Sequence, residues 1–167
     1  DKNELDPISL EIISNGLRSI TDECFVALTR SSYSTNIKER KDHSIAIVDK
    51  EGRLVVQAAM TIPLHIASMR GLMECILEKF EGDIEEGDVF VANDPHTAGG
   101  THLPDINYAM PIFVDGEIVA FSCNIAHHAD VGGMVPGSMA GGMSEIYQEG
   151  LRIPVVKLFR KGELQQD

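Results

Sequence analysis

Ile106-Asn-Tyr-Ala-Met-Pro-Ile-Phe-Val-Asp-Gly-Glu-Ile-Val-Ala-Phe-Ser-Cys-Asn-Ile-Ala126 is the stretch that decides the fold. Residues 106–114 and 117–126 read as strands, and Asp115-Gly116 between them is a strong two-residue hairpin signal, because both turn positions need positive φ. Upstream, residues 44–49 and 53–57 flank Lys50-Glu51-Gly52 and read as a second hairpin, and Val89-Phe-Val-Ala92 as a short buried strand. Asp6-Pro7 predicts a helix start, followed by a burial stripe of Ile8, Ile12, Ile13, Leu17, Ile20, Cys24, Ala27 and Leu28. Segment 31–42 is polar and reads as a loop or frayed turn. A second helix carries Ile66, Met69, Leu72, Met73, Ile76, Leu77 and Phe80 on one face and is broken by residues 82–87. Residues 145–151 read as a short helix and 155–159 as a last strand. Helices alternating with hairpins predict an α+β fold, with packed helices on a mainly antiparallel sheet, as a single domain over 1–167. The polar end after the Lys161-Gly162 turn points to a fragment of something longer.

Composition narrows the function. Of the 167 residues, 43% are hydrophobic and 24% charged, as in an ordinary globular domain. A net charge of −12 argues against nucleic acid and against an anionic membrane surface, both of which need clustered Lys and Arg. Much of the acid falls in Asp22-Glu23 and in 78–88, read as solvated. No apolar run approaches the ~20 residues of a membrane span, and the first six residues, Asp1 to Asp6, form no signal-peptide core. Cys24, Cys75 and Cys123 are odd in number and far apart, which suits buried thiols in a reducing compartment and hence a cytoplasmic protein.

Four of the six histidines lie between residues 96 and 128, in or beside two irregular glycine-rich stretches. These are Asn93-Asp-Pro-His-Thr-Ala-Gly-Gly-Thr-His-Leu-Pro-Asp105 and Asn124-Ile-Ala-His-His-Ala-Asp-Val-Gly-Gly133. The inventory of Asp94, His96, His102, Asp105, His127, His128 and Asp130 is imidazole plus carboxylate, a set suited to Zn²⁺, Mn²⁺ or Fe²⁺. Leu103-Pro104 is a turn that can bring His102 and Asp105 onto one centre. Strand parity puts His127 on the apolar face of Val119, Phe121, Cys123 and Ile125, and His128 on the face of Ser122 and Asn124. A buried histidine there is satisfied either by a metal or by a carbonyl, and spacing leaves both open. His43 and His65 read as structural. Met134, Met139 and Met143 read as lining a flexible surface or interface. The glycine pairs match no nucleotide-binding motif, and no GxSxG elbow is present.

Both stretches resemble the hydantoinase B family. So do Glu145-Ile-Tyr-Gln-Glu-Gly-Leu-Arg-Ile-Pro154, Asp6-Pro-Ile-Ser-Leu-Glu-Ile-Ile13, Glu39-Arg-Lys-Asp-His-Ser44 and Ile62-Pro-Leu-His-Ile66. That family includes the B-type half of N-methylhydantoinase, the matching half of 5-oxoprolinase, and components of acetone and acetophenone carboxylases. The resemblance implies an N-terminal portion of a larger α/β catalytic subunit, working in a hetero-oligomer with a hydantoinase A-type subunit that uses ATP. It implies a divalent metal, Zn²⁺ or Mn²⁺, on His102, Asp105 and His127. Asp42 and Asp94 match acidic family positions, as further ligands or as groups orienting the imidazoles. Asp42, Asp94 or His128 would then act as general base or hold the water. His43 and His96 depart from the pattern, standing where aromatic residues are expected. The expected activity is opening of hydantoin, 5-oxoproline or similar rings. The alternatives are a component of an ATP-dependent ketone carboxylase and a non-catalytic assembly domain.

Overall fold

The structure is a computed structural model describing residues 6–166; the polar stretch before Asp6 and the final Asp167 lie outside the described residues. The helices are α1 (Pro7–Ser31), α2 (Thr35–Lys38) and α3 (Pro63–Lys79). The strands are β1 (His43–Asp49), β2 (Leu54–Gln57), β3 (Val89–Ala92), β4 (Asp105–Val114), β5 (Glu117–His127), β6 (Val156–Arg160) and β7 (Glu163–Leu164). Among the described residues they form one sheet, in the order β2-β1-β5-β4-β3-β6-β7, with every pairing antiparallel.

The β4–β5 hairpin at its centre turns on Asp115 and Gly116, with φ of 51° and 82°, the left-handed pair that matches strand twist. Its register sets Ala109 opposite Cys123, and Pro111 opposite Phe121. Alternation then sends Phe121, Cys123, Ile125 and Ala109 to one face, beside Ala46, Val48, Phe90 and Ala92. Met69, Leu72, Met73 and Ile76 of α3 cover that face and are almost fully buried. Ile62 at the N-cap of α3 makes no side-chain capping bond. The helix therefore owes its stability to this apolar stripe, at about 1.5–3 kcal/mol per large side chain buried.

Several expectations are corrected. α1 starts as read, with Asp6 accepting from the amides of Ile8 and Ser9, but its stripe is largely uncovered. Ile8, Ile12, Ile13 and Ile20 are exposed, and burial falls on Thr21 and Phe25. The 25 residues of α1 run roughly 38 Å, whereas the 7 residues of β1 span roughly 24 Å, so the helix outruns its platform. The polar segment 31–42 contains α2, and the expected helix over 145–151 is a single 3₁₀ turn, Ile146–Gln148. The polar end carries β7, paired with β6. Cys24 is exposed, Cys75 half-buried and Cys123 buried, so only one of three thiols follows the expectation. Asp88, inside the supposedly solvated acidic run, is fully buried. No helix among the described residues is long and apolar enough to cross a membrane.

His43 pins α1 to the sheet. Its buried ring stacks on Phe25 with centroids 3.9 Å apart, and its Nε2 lies 2.8 Å from the Thr29 hydroxyl. That hydroxyl donates to the Phe25 carbonyl, so the imidazole Nε2–H donates to it. Burial first, with His65 second, pushes His43 down to about 4 from 6.5. The unfolded chain therefore takes up the proton before the folded one does. The contribution of His43 to stability is intact above pH 6.5 and is lost as pH falls from 6.5 toward 4. Urea denaturation across that window is expected to show a shallower acid slope in His43→Gln than in the native chain; equal slopes would refute the assignment.

Candidate metal centre

Asp105 opens β4, His127 closes β5, and the hairpin register sets them directly opposite one another. Cross-strand neighbours bring their Cβ atoms within about 5.5 Å, so one sheet end presents both side chains together. The amide of Asp105 donates to the His102 carbonyl at 3.1 Å, closing the Leu103-Pro104 turn that delivers His102. His102 Nε2 then lies 3.1 Å from Asp105 Oδ2, and the His102 and His127 rings are 5.0 Å apart at 60°. One donor atom from each of His102, Asp105 and His127 lies within 4.8 Å of the other two.

The base of this cluster is dry and its mouth open: the Asp105 side chain is 4% exposed and that of His102 is 36% exposed. Burial pushes the Asp105 carboxyl up, but hydrogen bonds from His102 and Thr101 outweigh it and leave it below the usual carboxylate range. The bond to Asp105 raises His102 in turn. Among the described residues, the buried Asp105 Oδ1 has no hydrogen-bond partner. A carboxylate oxygen left bare in a dry pocket, beside two imidazoles, fits a cation.

His127 is held from both sides. Its amide donates to the Asp42 carbonyl at 2.9 Å, and its Nδ1 lies 2.9 Å from the Asn36 side-chain amide on α2. A half-turn of that amide puts oxygen against Nδ1–H and leaves Nε2 with its lone pair, the form a ligating imidazole needs. Asp42 is thereby tied next to the cluster, with Oδ1 3.7 Å from His65 Nε2. His128 follows the strand end, half-buried, with its amide on the Pro104 carbonyl; burial first, then His127, lowers its pKa. It is not one of the three converging side chains.

Asp94 is engaged elsewhere. Its Oδ1 accepts the His96 amide, and its Oδ2 accepts the Thr97 hydroxyl and the Arg152 guanidinium at 2.7 Å. Together with Asn93, which bonds Leu103, Leu151 and Ile153, it clamps the first glycine-rich stretch to residues 151–153. His96 is exposed.

His65, read from sequence as structural, has its Nε2 3.7 Å from Asp42 and 3.8 Å from Asp105. The available signal was helical phase, since His65 precedes Met69 by four residues and Leu72 by seven, on the buried stripe of α3.

Two cavities share His102 as a wall. One, of about 470 Å³, is lined by Ser138, Met139, Ala140, Met143 and Glu149. The other, of about 280 Å³, reaches His96 and Thr101. A larger groove of about 690 Å³, between the β1–β2 hairpin and α3, carries none of the converging residues.

The profile of the family described as Hydantoinase B/oxoprolinase matches residues 6–167. A 5-oxoprolinase of Dictyostelium discoideum is 40% identical over 164 residues, covering 98% of this chain and 13% of that protein. The beta subunit of the caprolactamase of Pseudomonas jessenii is 35% identical over 165 residues, covering 99% of this chain and 28% of that one. The crystal structure of the ATP-dependent caprolactamase from Pseudomonas jessenii matches with a TM-score of 0.83 at 32% identity, covering 98% of this chain and 28% of that chain. A nucleotide-free acetone carboxylase shares the fold, with a TM-score of 0.84 at 22% identity over 96% of this chain and 21% of that one. The chain thus spans less than a third of the length of each of these relatives.

Proposed function

This chain belongs to the hydantoinase B/oxoprolinase family, and from that premise we propose that it carries the metal site of an ATP-dependent enzyme that opens cyclic amide rings. The observation that carries the reading is the convergence of His102, Asp105 and His127 on one point at the end of the central hairpin. When bound, a divalent ion such as Zn²⁺ or Mn²⁺ supplies Lewis acidity, which makes water available as a nucleophile near neutral pH. His102, Asp105 and His127 hold the ion, and Asn36 orients His127.

Asp42 is the better placed general base. Its carboxylate is one-third exposed and anchored beside the cluster. His128 is the second choice. Asp94 serves the reaction through the clamp on the glycine-rich stretch, because its oxygens are already taken. Met139 and Met143 offer the apolar wall against which a ring's methylene edge rests.

ATP is consumed on a hydantoinase A-type partner subunit. This assignment is supported by relatives named as ATP-dependent and as a beta subunit. Relatives at 35% identity and above include proteins named for 5-oxoproline and caprolactam, both lactams, which favours ring opening over ketone carboxylation. Free thiols at Cys24, Cys75 and Cys123 support a cytoplasmic setting.

The test is equilibrium titration of the purified chain with Zn²⁺ and Mn²⁺, beside a His102→Ala/His127→Ala variant, with circular dichroism on both. The expected result is one near-stoichiometric ion in the native chain and none in the still-folded variant. Ring opening of hydantoin, 5-oxoproline and caprolactam is then assayed with ATP and an A-type subunit. A native chain that takes no ion, or a loaded complex that opens no ring, sinks the reading.

A further inference from the structure

His65 is a buried imidazole that the reaction above does not use. It is 3% exposed, lies in the first turns of α3 and points back at the sheet. Its Nδ1 lies 2.8 Å from the Ser44 hydroxyl, and Ser44 is fully buried in β1. That hydroxyl already accepts the amide of Ile62 at 2.9 Å. Its single proton therefore has one nearby acceptor, His65 Nδ1, and any other assignment strands a hydroxyl proton in a dry core. The proton of a neutral His65 then sits on Nε2, 3.7 Å from Asp42 Oδ1 and 3.8 Å from Asp105 Oδ2.

We propose that His65 is a positioning residue of the candidate metal centre: its Nε2–H, fixed by Ser44, stands between the carboxylates of Asp42 and Asp105 and holds both turned toward the site. The inference rests on the metal-site reading above. With its proton on Nε2 and its Nδ1 accepting from Ser44, His65 offers no lone pair to an ion, so it is not itself a ligand. Both distances exceed a hydrogen bond. The N–H therefore acts through its dipole across a low-dielectric gap, while the ring fills the space behind the two carboxylates.

The test measures Zn²⁺ affinity and the visible spectrum of the Co²⁺-loaded chain in His65→Phe, His65→Gln and Ser44→Ala, with circular dichroism on each. Phe keeps the volume and removes the donor; it is expected to weaken binding about tenfold, the lower end of what partners behind a ligand contribute. Gln places an amide N–H near the Nε2 position and is expected to restore affinity to within about threefold of native, on the same scale. The Co²⁺ spectrum stays unchanged in both, because no donor atom is lost. If His65→Phe does not fold, Ser44→Ala carries the comparison, since it frees the proton to move to Nδ1 and weakens binding. A folded His65→Phe or Ser44→Ala chain with native affinity overturns the proposal. A Gln variant as weak as Phe, or an altered Co²⁺ spectrum, overturns it in the other direction by making His65 a ligand. A native chain that takes no ion overturns the metal-site reading itself, and this inference with it.

Discussion

Asp105→Asn is expected to fold in the absence of metal, somewhat less stably than the native chain, and to gain no thermal stability when Zn²⁺ is added. Asp105 is 3% exposed, ionised, and has one oxygen without a partner. Burying a carboxylate costs several kcal/mol even after relaxation, and here the bonds to His102 and Thr101 outweigh that cost. Asparagine has the same shape without the charge, and its oxygen still accepts from Thr101. Losing the only anion among three converging ligands removes more affinity than the ~10–100-fold that an outer partner contributes. The native chain, by contrast, is stabilised by linkage: at 1,000 times Kd, the ion adds about 4 kcal/mol. At 2–4 °C per kcal/mol for a chain of this size, that is roughly 8–16 °C in Tm. Scanning calorimetry in EDTA, and again with Zn²⁺, reads both halves. A Zn²⁺-induced shift of native size in Asp105→Asn would remove Asp105 from the site.

What the sequence shows of this site follows from the range of its rules. Asp115-Gly116 announces the hairpin because its positive φ angles are demanded locally, and strand parity then places His127 on the buried face. His102 and Asp105 share a turn, so four residues of sequence already bring them together. The missed features depend on partners far along the chain. Arg152, 58 residues away, is what occupies Asp94. His65 meets Asp42 and Asp105 only because α3 crosses the end of β1 and β4, a placement that helical phase indicates as buried but cannot aim. The apolar stripe of α1 misled for a related reason. Periodicity reports that a face is apolar, and the length of the neighbouring strand decides how much of it is covered.

Asp88 is the clearest case of charge composition concealing burial, and it carries the largest stability prediction. It is fully buried, and its carboxylate lies 2.8 Å from Lys157 Nζ while accepting the amides of Glu85 and Lys161. These contacts tie the turn before β3 to β6 and the β6–β7 turn. The Lys157 stem runs past Phe80 and Phe90, its ammonium 5.6 and 5.8 Å from the two ring centres. Lys157→Met keeps that apolar stem and removes the charge, leaving a buried anion without its cation. Breaking one side of such a pair costs about 3–5 kcal/mol, read as a fall in the urea midpoint at pH 7. The dependence on pH tests the cause. In the native chain burial pushes Asp88 up, but Lys157 and the two amides outweigh it and hold it below 3.8. A depressed carboxyl contributes stability that is present above 3.8 and is lost as pH falls through the folded value. Without Lys157, the push of burial is expected to win and raise Asp88 above 3.8, so the variant takes up a proton on folding and recovers stability as the solution is acidified. The gap between native and variant should therefore narrow from pH 7 to pH 4. Asp88→Asn, added to Lys157→Met, should close most of it at pH 7. A gap that stays constant with pH would mean that Lys157 contributes through packing on Phe80 and Phe90 and not through its charge.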